Sequence, residues 1–591
     1  MLQLWQKTFG NKLNFNQLIS ENCNSSSLGN RIGIVLIIGI VYVISLLTPG
    51  FLSGNGPYWT SIVSDRASHL IGYLYYLDAD WQWPLLSIRT LSFPEGVCIT
   101  FTDSIPLLAM IAKVIKIIIP HKFNFFGLWL GACYLLNGLA FLLLLDRIGI
   151  KRYIPSLVGA FLSMLTPVLL HRWYHASLNA HFLLIFSMLC YVDGYLSISQ
   201  RRSLLMQLGL LICALLIHPY FVAMLFGVFL ASVVQGVYRQ RLSILAGIGW
   251  IGLSIFIFIV LILGLGIVTS ESGSMDSGRG FSHFSINLLG PIFAIHSGLR
   301  PSGWELVRDI WELKNAWAFF GKGAPDATGG QYFEGFSYLG GGVLFLLFLS
   351  IVFLRLKVLK QIYRHWPLVL ILLGMGLFAL SNRIYFGENS LIHIPLPRII
   401  NGLANTFRAS GRFFWPLSYA LLTFGVVAVT QRFKHRTAAV LLLLALGLQW
   451  IDTIPVRKAI GFASTHPESA GLDINRWRVI LDNADRLLII PSIQCGDPEL
   501  QNPKLELQLL AAHLGPIPTN SALTARSAKN CSAEAQLLLA NEFDSNAVYV
   551  FFNDYKQSPE LVKFIAAQGT KHMKPFSRGV FYDGRNSSDP F

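Results

Sequence analysis

The sequence predicts an all-α polytopic membrane domain followed by a small α/β domain. The 591 residues are 53% hydrophobic and only 13% charged, with a mean hydropathy of +0.54. Long apolar runs recur between residues 33 and 453, whereas the remaining ~135 residues mix strand-like and helical patterns, a normal size for one domain. A soluble chain of this length needs far more charged surface, so the composition excludes a soluble enzyme.

The number of membrane spans follows from the apolar runs. A helix needs about 20 apolar residues to cross a hydrocarbon core of ~30 Å, which predicts about eleven spans. Basic loop residues collect on the cytoplasmic side of a membrane protein. The basic clusters of this chain all fall on that side if the segment 104–119, which contains Lys113 and Lys116, lies in the membrane interface instead of crossing. We therefore expect a cytoplasmic N terminus and an external C terminus. The predicted spans are 33–51, 125–145, 153–170, 178–197, 203–217, 220–237, 244–268, 341–356, 367–381, 413–431 and 437–453.

Three segments result from this topology: a cytoplasmic segment 1–32, a transmembrane domain 33–453 and an external α/β domain 454–591. In the last segment, strand-like patterns occur in RLLIIPS and AVYVFF, and helical patterns in LELQLLAAHL, EAQLLLANEF and ELVKFIAAQG. Cys495 and Cys531 lie there and can pair if the domain faces an oxidising compartment. The net charge of +15 comes without a basic stripe in a soluble segment, so we expect no nucleic-acid partner.

The loop from 57 to 103 concentrates carboxylates and aromatic side chains in a chain with few charges. Asp65 precedes a predicted interfacial helix over 66–77 and shares a face with His69 at i, i+4. A carboxylate beside the bilayer can act as a general base toward an acceptor hydroxyl. The alternative for Asp65 is a helix N-cap. Asp103, in TDSIP, has the same two interpretations.

The turn HRWYH at the end of the third predicted span contains His171, Arg172 and His175. The spacing of the two histidines matches that of a zincin, but Arg172 stands where the motif needs Glu, so a metalloprotease is disfavoured. The histidines are either satisfied interfacial side chains or groups that bind an anionic substrate or assist proton transfer.

Two further segments carry candidates. NTFRASGRFFWP places Arg408 and Arg412 at i, i+4 immediately before a span, where two guanidinium groups can clamp a phosphate; the alternative for one of them is snorkelling to lipid headgroups. GGQYFEGFSYLGGG, residues 329–342, holds Glu334 and aromatic side chains such as Tyr338 that could stack on a sugar. Its alternative is a flexible connection to the next span. No ligand spacing is specific to a metal, so we assign no metal ligand, and whether a divalent cofactor is needed stays open.

At these places the chain resembles the C-type (GT-C) superfamily of polytopic membrane glycosyltransferases. The motifs D-x-x-x-H, F-P-x-G, T-D-S-I-P-L, H-x-x-L-x-A-H, E-G-F-x-Y-L-G and F-R-A-S-G-R are similar to those of one uncharacterised bacterial membrane-protein family within it, over most of residues 30–450. The resemblance implies inverting transfer of a sugar from a polyprenyl-phosphate donor to an external lipid, glycan or protein acceptor, with Asp65 as the base. Asp103 and His175 are the further catalytic candidates. The candidates for substrate binding are His69, His171, Arg172, Glu334, Tyr338, Arg408 and Arg412.

The same resemblance implies a bacterial inner membrane protein whose active face is periplasmic, with membrane lipid as a partner. Three alternatives stay open: a ligase for lipid-linked glycans, a transporter or flippase, and a non-catalytic membrane protein that binds glycans. A transporter predicts internal repeats and helices broken at mid-membrane. No clear repeat is present in this sequence.

Overall fold

The computed structural model describes residues 27–119, 123–196, 199–267, 280–294, 296–299, 326–353, 356–525, 531, 534, 544, 546–568 and 573–585. Residues 1–26 of the predicted cytoplasmic segment lie outside this part, as do residues 535–543 of the helical segment EAQLLLANEF.

Eight helices among the described residues are long and apolar enough to cross a membrane. A ninth span results if His435–Asp452 and Ile454–Ala463, which meet at an angle of 48°, are taken together. The chain is therefore a multi-pass membrane protein. The eight helices are Leu28–Leu46, Phe126–Ile148, Tyr153–Leu170, Ala176–Leu196, Gln200–Ile217, Pro219–Tyr238, Ile244–Leu265 and Ser410–Arg432.

The ends of these helices follow from local sequence. The hydroxyl groups of Ser199 and Ser243 accept hydrogen bonds from backbone N–H groups three residues later, as N-cap residues do. Gly149, with a φ of 102°, ends the second span in the left-handed region that glycine adopts readily. Pro219 occupies the first turn of its helix, where its missing N–H costs nothing.

Two predicted spans, 341–356 and 367–381, correspond to short helices in the structure. The helices Gly341–Val352 and Trp366–Leu380 have 12 and 15 residues, fewer than the ~20 that a crossing requires. The number of eleven spans and the orientation of the chain therefore stay predictions. Leu356–Arg364 forms a separate helix between the two.

The loop between the first two spans is a folded layer. It contains the short helices Pro49–Leu52 and Pro57–Thr60, the helix Ser64–Asp78, here called the loop helix, the paired strands Ser87–Ile88 and Val97–Cys98, a 3-10 turn at Ile99–Thr102, and the helix Pro106–Ile118.

The loop helix covers the predicted helix over 66–77, and its residues from Ala67 to Leu77 are buried within the protein. Its position in the membrane interface stays a prediction. Pro106–Ile118 packs on the loop helix: the ammonium group of Lys113 lies 4.3 Å from the ring centre of Tyr76, and Lys116 pairs with Asp78. Both lysines whose presence distinguished 104–119 from a span therefore have partners in this layer, a ring for Lys113 and a carboxylate for Lys116.

The C-terminal region has a four-stranded sheet in the order Arg486–Ile490, Ala547–Phe552, Gly579–Asp583, Lys574–Phe576. The first two strands are parallel, with Arg486 opposite Ala547, and the other pairs are antiparallel. All six residues of Ala547–Phe552 are buried, as expected of a central strand covered on both faces. RLLIIPS and AVYVFF thus form strands as predicted, and Cys495 and Cys531 form a disulfide.

Helices of this region are Ile474–Leu481, Gln501–Leu514, here called the tail helix, and Pro559–Gln568. The tail helix packs against the loop helix. Glu506 of the tail helix is buried and accepts hydrogen bonds from the Ser61 hydroxyl (3.2 Å) and from the N–H groups of Ala470 (3.1 Å) and Leu472 (3.2 Å). The C-terminal region therefore covers the loop that carries the acidic candidates.

Further short elements lie before the span Ser410–Arg432 or at its start. They are the antiparallel strands Arg383–Phe386 and Asn389–His393, the helix Arg398–Asn405 and the 3-10 turn Ser410–Phe413.

Candidate functional site

Asp65 lies in the first turn of the loop helix. The backbone enters this helix through Ser64, whose φ is 62° and whose N–H donates to Oδ1 of Asn502 on the tail helix (3.1 Å). No side chain caps the loop helix, so the interpretation of Asp65 as an N-cap is wrong. Asp65 is half-buried as a residue.

Glu334 joins two arginines that the sequence places far apart. Its Oε2 accepts a hydrogen bond from Nε of Arg412 (2.8 Å) and lies 3.1 Å from Nη1 of Arg172. All three residues are buried, and Arg172 also donates to the carbonyl oxygen of Phe333 (2.5 Å). The Arg412 guanidinium lies 4.4 Å from the ring centre of Tyr220. Two guanidinium groups and one carboxylate leave this cluster with one excess positive charge.

Asp103 is surrounded by imidazoles. Its carboxylate oxygens lie 3.7 Å from Nε2 of His175 and 3.4 Å from Nε2 of His218. The ring of His69 lies 4.6 Å from the ring of His175, centre to centre. Asp103 has a φ of 55°, and the helix that follows begins at Pro106 without a side-chain cap. The N-cap interpretation is therefore wrong for Asp103 as well.

Charges link Asp65 to both clusters. Burial raises the pKa of the Asp65 carboxyl, the charge of Glu334 raises it further, and Arg412 and Arg408 lower it. Burial is also the main reason why the pKa of Asp103 is raised to about 7. Burial likewise opposes ionisation of Glu334, yet Arg172 and Arg412 lower its pKa to about 2.

The surrounding histidines are neutral, because their burial disfavours the charged form. Burial lowers the pKa of His69 and that of His171 to about 3, and it lowers the pKa values of His175 and His218. A neutral imidazole can accept a proton or bind a cation, whereas a charged one can do neither.

Most of the candidates from the sequence meet in one region, but two have other contacts. The hydroxyl of Tyr338 donates to Oδ2 of the buried Asp452 (2.8 Å), which joins the start of the helix Gly341–Val352 to the end of His435–Asp452. The ring of His171 packs on Phe336 at 4.2 Å.

Arg408 is partly buried and forms no ion pair with any carboxylate in the part of the chain that the structure describes.

His218 belongs to the site, although it is not among the residues predicted from the sequence. It stands between the helices Gln200–Ile217 and Pro219–Tyr238, where the sequence shows only a break before proline. A histidine in a short gap between two apolar runs was the available signal.

His69, Asp103 and His175 could hold a metal ion. Each offers one ligand atom, and these atoms lie within 4.8 Å of one another. The three residues come from separate segments without a recognisable spacing, so the sequence alone indicates no metal ligand.

A family model described as "Domain of unknown function (DUF6311)" matches residues 36–454, and the model of the DUF6311 C-terminal domain matches residues 476–572. No curated protein sequence matches the chain.

Two solved structures are similar in part. One is the oligosaccharyltransferase of Archaeoglobus fulgidus in complex with Zn and sulfate, with 12% identity and a TM-score of 0.39 over 83% of this chain and 62% of that one. The other is the arabinofuranosyltransferase AftD from Mycobacteria, with 13% identity and a TM-score of 0.46 over 88% of this chain and 35% of that one. The chain thus spans less than two thirds of the length of either structure.

Proposed function

We propose, for a chain that belongs to the family described as "Domain of unknown function (DUF6311)", that the site around Asp65 transfers a sugar from a polyprenyl-phosphate donor to a hydroxyl group of an acceptor. The observation that carries the proposal is the Asp65 carboxylate, which does not cap its helix and is near enough to Glu334, Arg412 and Arg408 for their charges to shift its pKa. Inverting glycosyl transfer needs this pair of functions: a base for the acceptor and cationic donors for the leaving phosphate.

In the proposed reaction, Asp65 takes the proton of the acceptor hydroxyl. The acceptor oxygen then forms a bond to C1 of the sugar while the bond between C1 and the phosphate oxygen breaks. The electron pair of that bond leaves with the phosphate. Burial and the charge of Glu334 raise the pKa of Asp65, which makes it a stronger base than an exposed aspartate.

Arg408 and Arg412 supply the positive charge for the leaving phosphate. Arg412 uses Nε for Glu334, and a guanidinium group has further N–H donors. Arg408 lies four residues earlier and has no carboxylate partner among the described residues. Donors that meet charge as it develops stabilise the transition state more than the ground state.

A lipid-linked donor also needs an apolar surface next to these arginines. The helix Arg398–Asn405, which precedes them, leaves Ile399 and Leu403 79% and 68% exposed. Arg408 lies three residues after the end of this helix, so a prenyl chain lying along the helix would bring its phosphate to the arginines. We place the carrier there.

Reconstituted sugar transfer tests the proposal. The full chain in liposomes is supplied with polyprenyl-phosphate sugars, and Asp65→Asn is compared with the unmodified protein. A base contributes about 10²–10⁴ in rate, so we expect a loss of that size. Asp80→Asn is the matched control, because Asp80 belongs to the same loop and is exposed; we expect unchanged turnover. Undiminished turnover by Asp65→Asn would contradict the role of Asp65.

The same assay separates the enzyme from the non-enzymatic alternatives. A flippase or a glycan-binding protein would leave the sugar on its carrier in every variant. Mass spectrometry of the lipid fraction distinguishes intact donor from released polyprenyl phosphate.

A further inference from the structure

His69, Asp103 and His175 form a group with few hydrogen bonds, in which both histidines are buried and Asp103 is partly buried. The carboxylate of Asp103 accepts no hydrogen bond from any residue that the structure describes, and its Oδ2 is 3.7 Å from Nε2 of His175, beyond the usual 2.7–3.2 Å. His69 is only 4% exposed, and its Nε2 has no hydrogen-bond partner within the described chain. Buried polar atoms without partners are costly, so such a group calls for an explanation.

A cation at the centre of the group would satisfy all three side chains. Ligands at about 2.0–2.2 Å from a tetrahedral ion are about 3.4 Å apart. The three ligand atoms already lie within 4.8 Å of one another, and the pair from His175 and Asp103 is at 3.7 Å. Small side-chain rotations therefore suffice to form a first coordination sphere.

We propose that His69, Asp103 and His175 form a binding site for one divalent transition-metal ion, of which Zn²⁺ is the representative. Two imidazoles and one carboxylate suit zinc and its neighbours in the first transition row, whereas magnesium and calcium prefer sites made of oxygen ligands. Three protein ligands leave at least one coordination position open, as in metal sites that bind a further molecule.

His218 orients the carboxylate without being a ligand itself. The backbone N–H of Tyr220 donates to Nδ1 of His218 (3.2 Å), so the proton of this neutral imidazole is on Nε2. Nε2 faces Oδ1 of Asp103 at 3.4 Å, which leaves Oδ2 for the metal. No hydrogen bond joins these two atoms at this separation, but a small movement of the carboxylate would form one, and such a bond behind a ligating carboxylate is a common feature of metal sites.

The site does not depend on sugar transfer, although His69 is one helical turn after Asp65. Metal binding is measured directly and not through activity. The metal site can therefore be disproved while sugar transfer is observed, and sugar transfer can be disproved while metal binding is observed.

The experiment uses the full chain, purified with a tag that lacks histidine, stripped with a chelator and titrated with ZnCl₂ in a calorimeter. We expect one ion per chain. When Co²⁺ replaces Zn²⁺, we expect the visible absorption spectrum that is typical of Co²⁺ with a low coordination number. His175→Gln and His69→Gln should abolish both signals. His218→Gln should weaken binding by about 10–100-fold, the usual cost of losing an orienting group. His466→Gln is the control, since this histidine is exposed and packs on Phe462.

Absence of binding to the unmodified protein at micromolar concentrations would overturn the proposal. So would equal affinity in the unmodified protein and in His175→Gln. The Co²⁺ spectrum of the unmodified chain decides the question by itself if either ligand variant does not fold.

Discussion

Glu334 and Asp103 are two carboxylates of the same site with opposite electrostatics. Glu334 lies between Arg172 and Arg412, and its pKa is lowered to about 2. Asp103 faces neutral histidines, and its pKa is raised to about 7. Burial disfavours the charged form of both, so the arginines make the difference.

Glu334 is fixed in ion pairs with arginines, whereas Asp103 has no cationic partner of this kind among the described residues. A permanently charged guanidinium compensates a buried carboxylate, and in return the carboxylate keeps two guanidinium groups in place. A neutral imidazole compensates little, so Asp103 keeps its capacity to bind a proton or a cation. We therefore interpret Glu334 as the organiser of the arginine cluster and Asp103 as a reactive group.

Removing the charge of Glu334 should have the largest effect on stability. In Glu334→Gln, Arg172 and Arg412 stay buried without a counter-charge, and breaking such a pair costs about 3–5 kcal/mol. Unfolding of the detergent-solubilised protein by denaturant or heat measures the loss. Stability equal to that of the unmodified protein would show that the two arginines do not depend on Glu334.

Arg408 tests whether the positive charge near the site serves the reaction instead of the fold. Arg408→Gln should lower the rate of sugar transfer by about 10²–10³, the usual effect of losing one donor to a developing anion. Its unfolding should be unchanged, because it has no ion pair with the described carboxylates. A loss of stability equal to that of Glu334→Gln would assign Arg408 to the structural cluster.

Glu506 offers an intermediate case, a buried carboxylate held by neutral donors. Its hydrogen bonds come from Ser61, Ser469 and the backbone of residues 470 and 472. Glu506→Gln replaces one acceptor oxygen by an amide, which leaves donors unpaired at a cost of about 1–3 kcal/mol. Limited proteolysis should release the C-terminal region more readily. A cost as large as that of Glu334→Gln would contradict the importance of arginine charge.

Asp103→Asn should have the smallest effect on the metal-free protein, below about 1 kcal/mol, because the carboxylate accepts no hydrogen bond from described residues that could be lost. Added Zn²⁺ should then stabilise the unmodified protein but not Asp103→Asn. At a concentration of 100 times its Kd, an ion stabilises the unmodified protein by about 2.7 kcal/mol. Thermal unfolding with and without ZnCl₂ measures this; equal stabilisation of Asp103→Asn would remove Asp103 from the metal site.

Much of the candidate site could be predicted from sequence because its residues are exceptional locally. Charged and aromatic side chains beside apolar runs are costly unless they have a function, so Asp65, Arg172 and Arg412 could be selected without a structure. His218 was missed, since its role depends on residues more than a hundred positions away. Tyr338 was selected as an aromatic residue of a glycine-rich segment, yet its hydroxyl contacts Asp452.

The sequence by itself determined the class of protein, because bilayer thickness sets the length of an apolar helix and strand patterns depend on alternation between neighbours. It thus determined the membrane domain and the strands Arg486–Ile490 and Ala547–Phe552. Only the tertiary structure decided that Glu334 joins two arginines, that Asp103 meets three histidines and that the tail helix covers the loop helix. These contacts join distant segments, and packing of whole elements decides which of the many compatible pairs form.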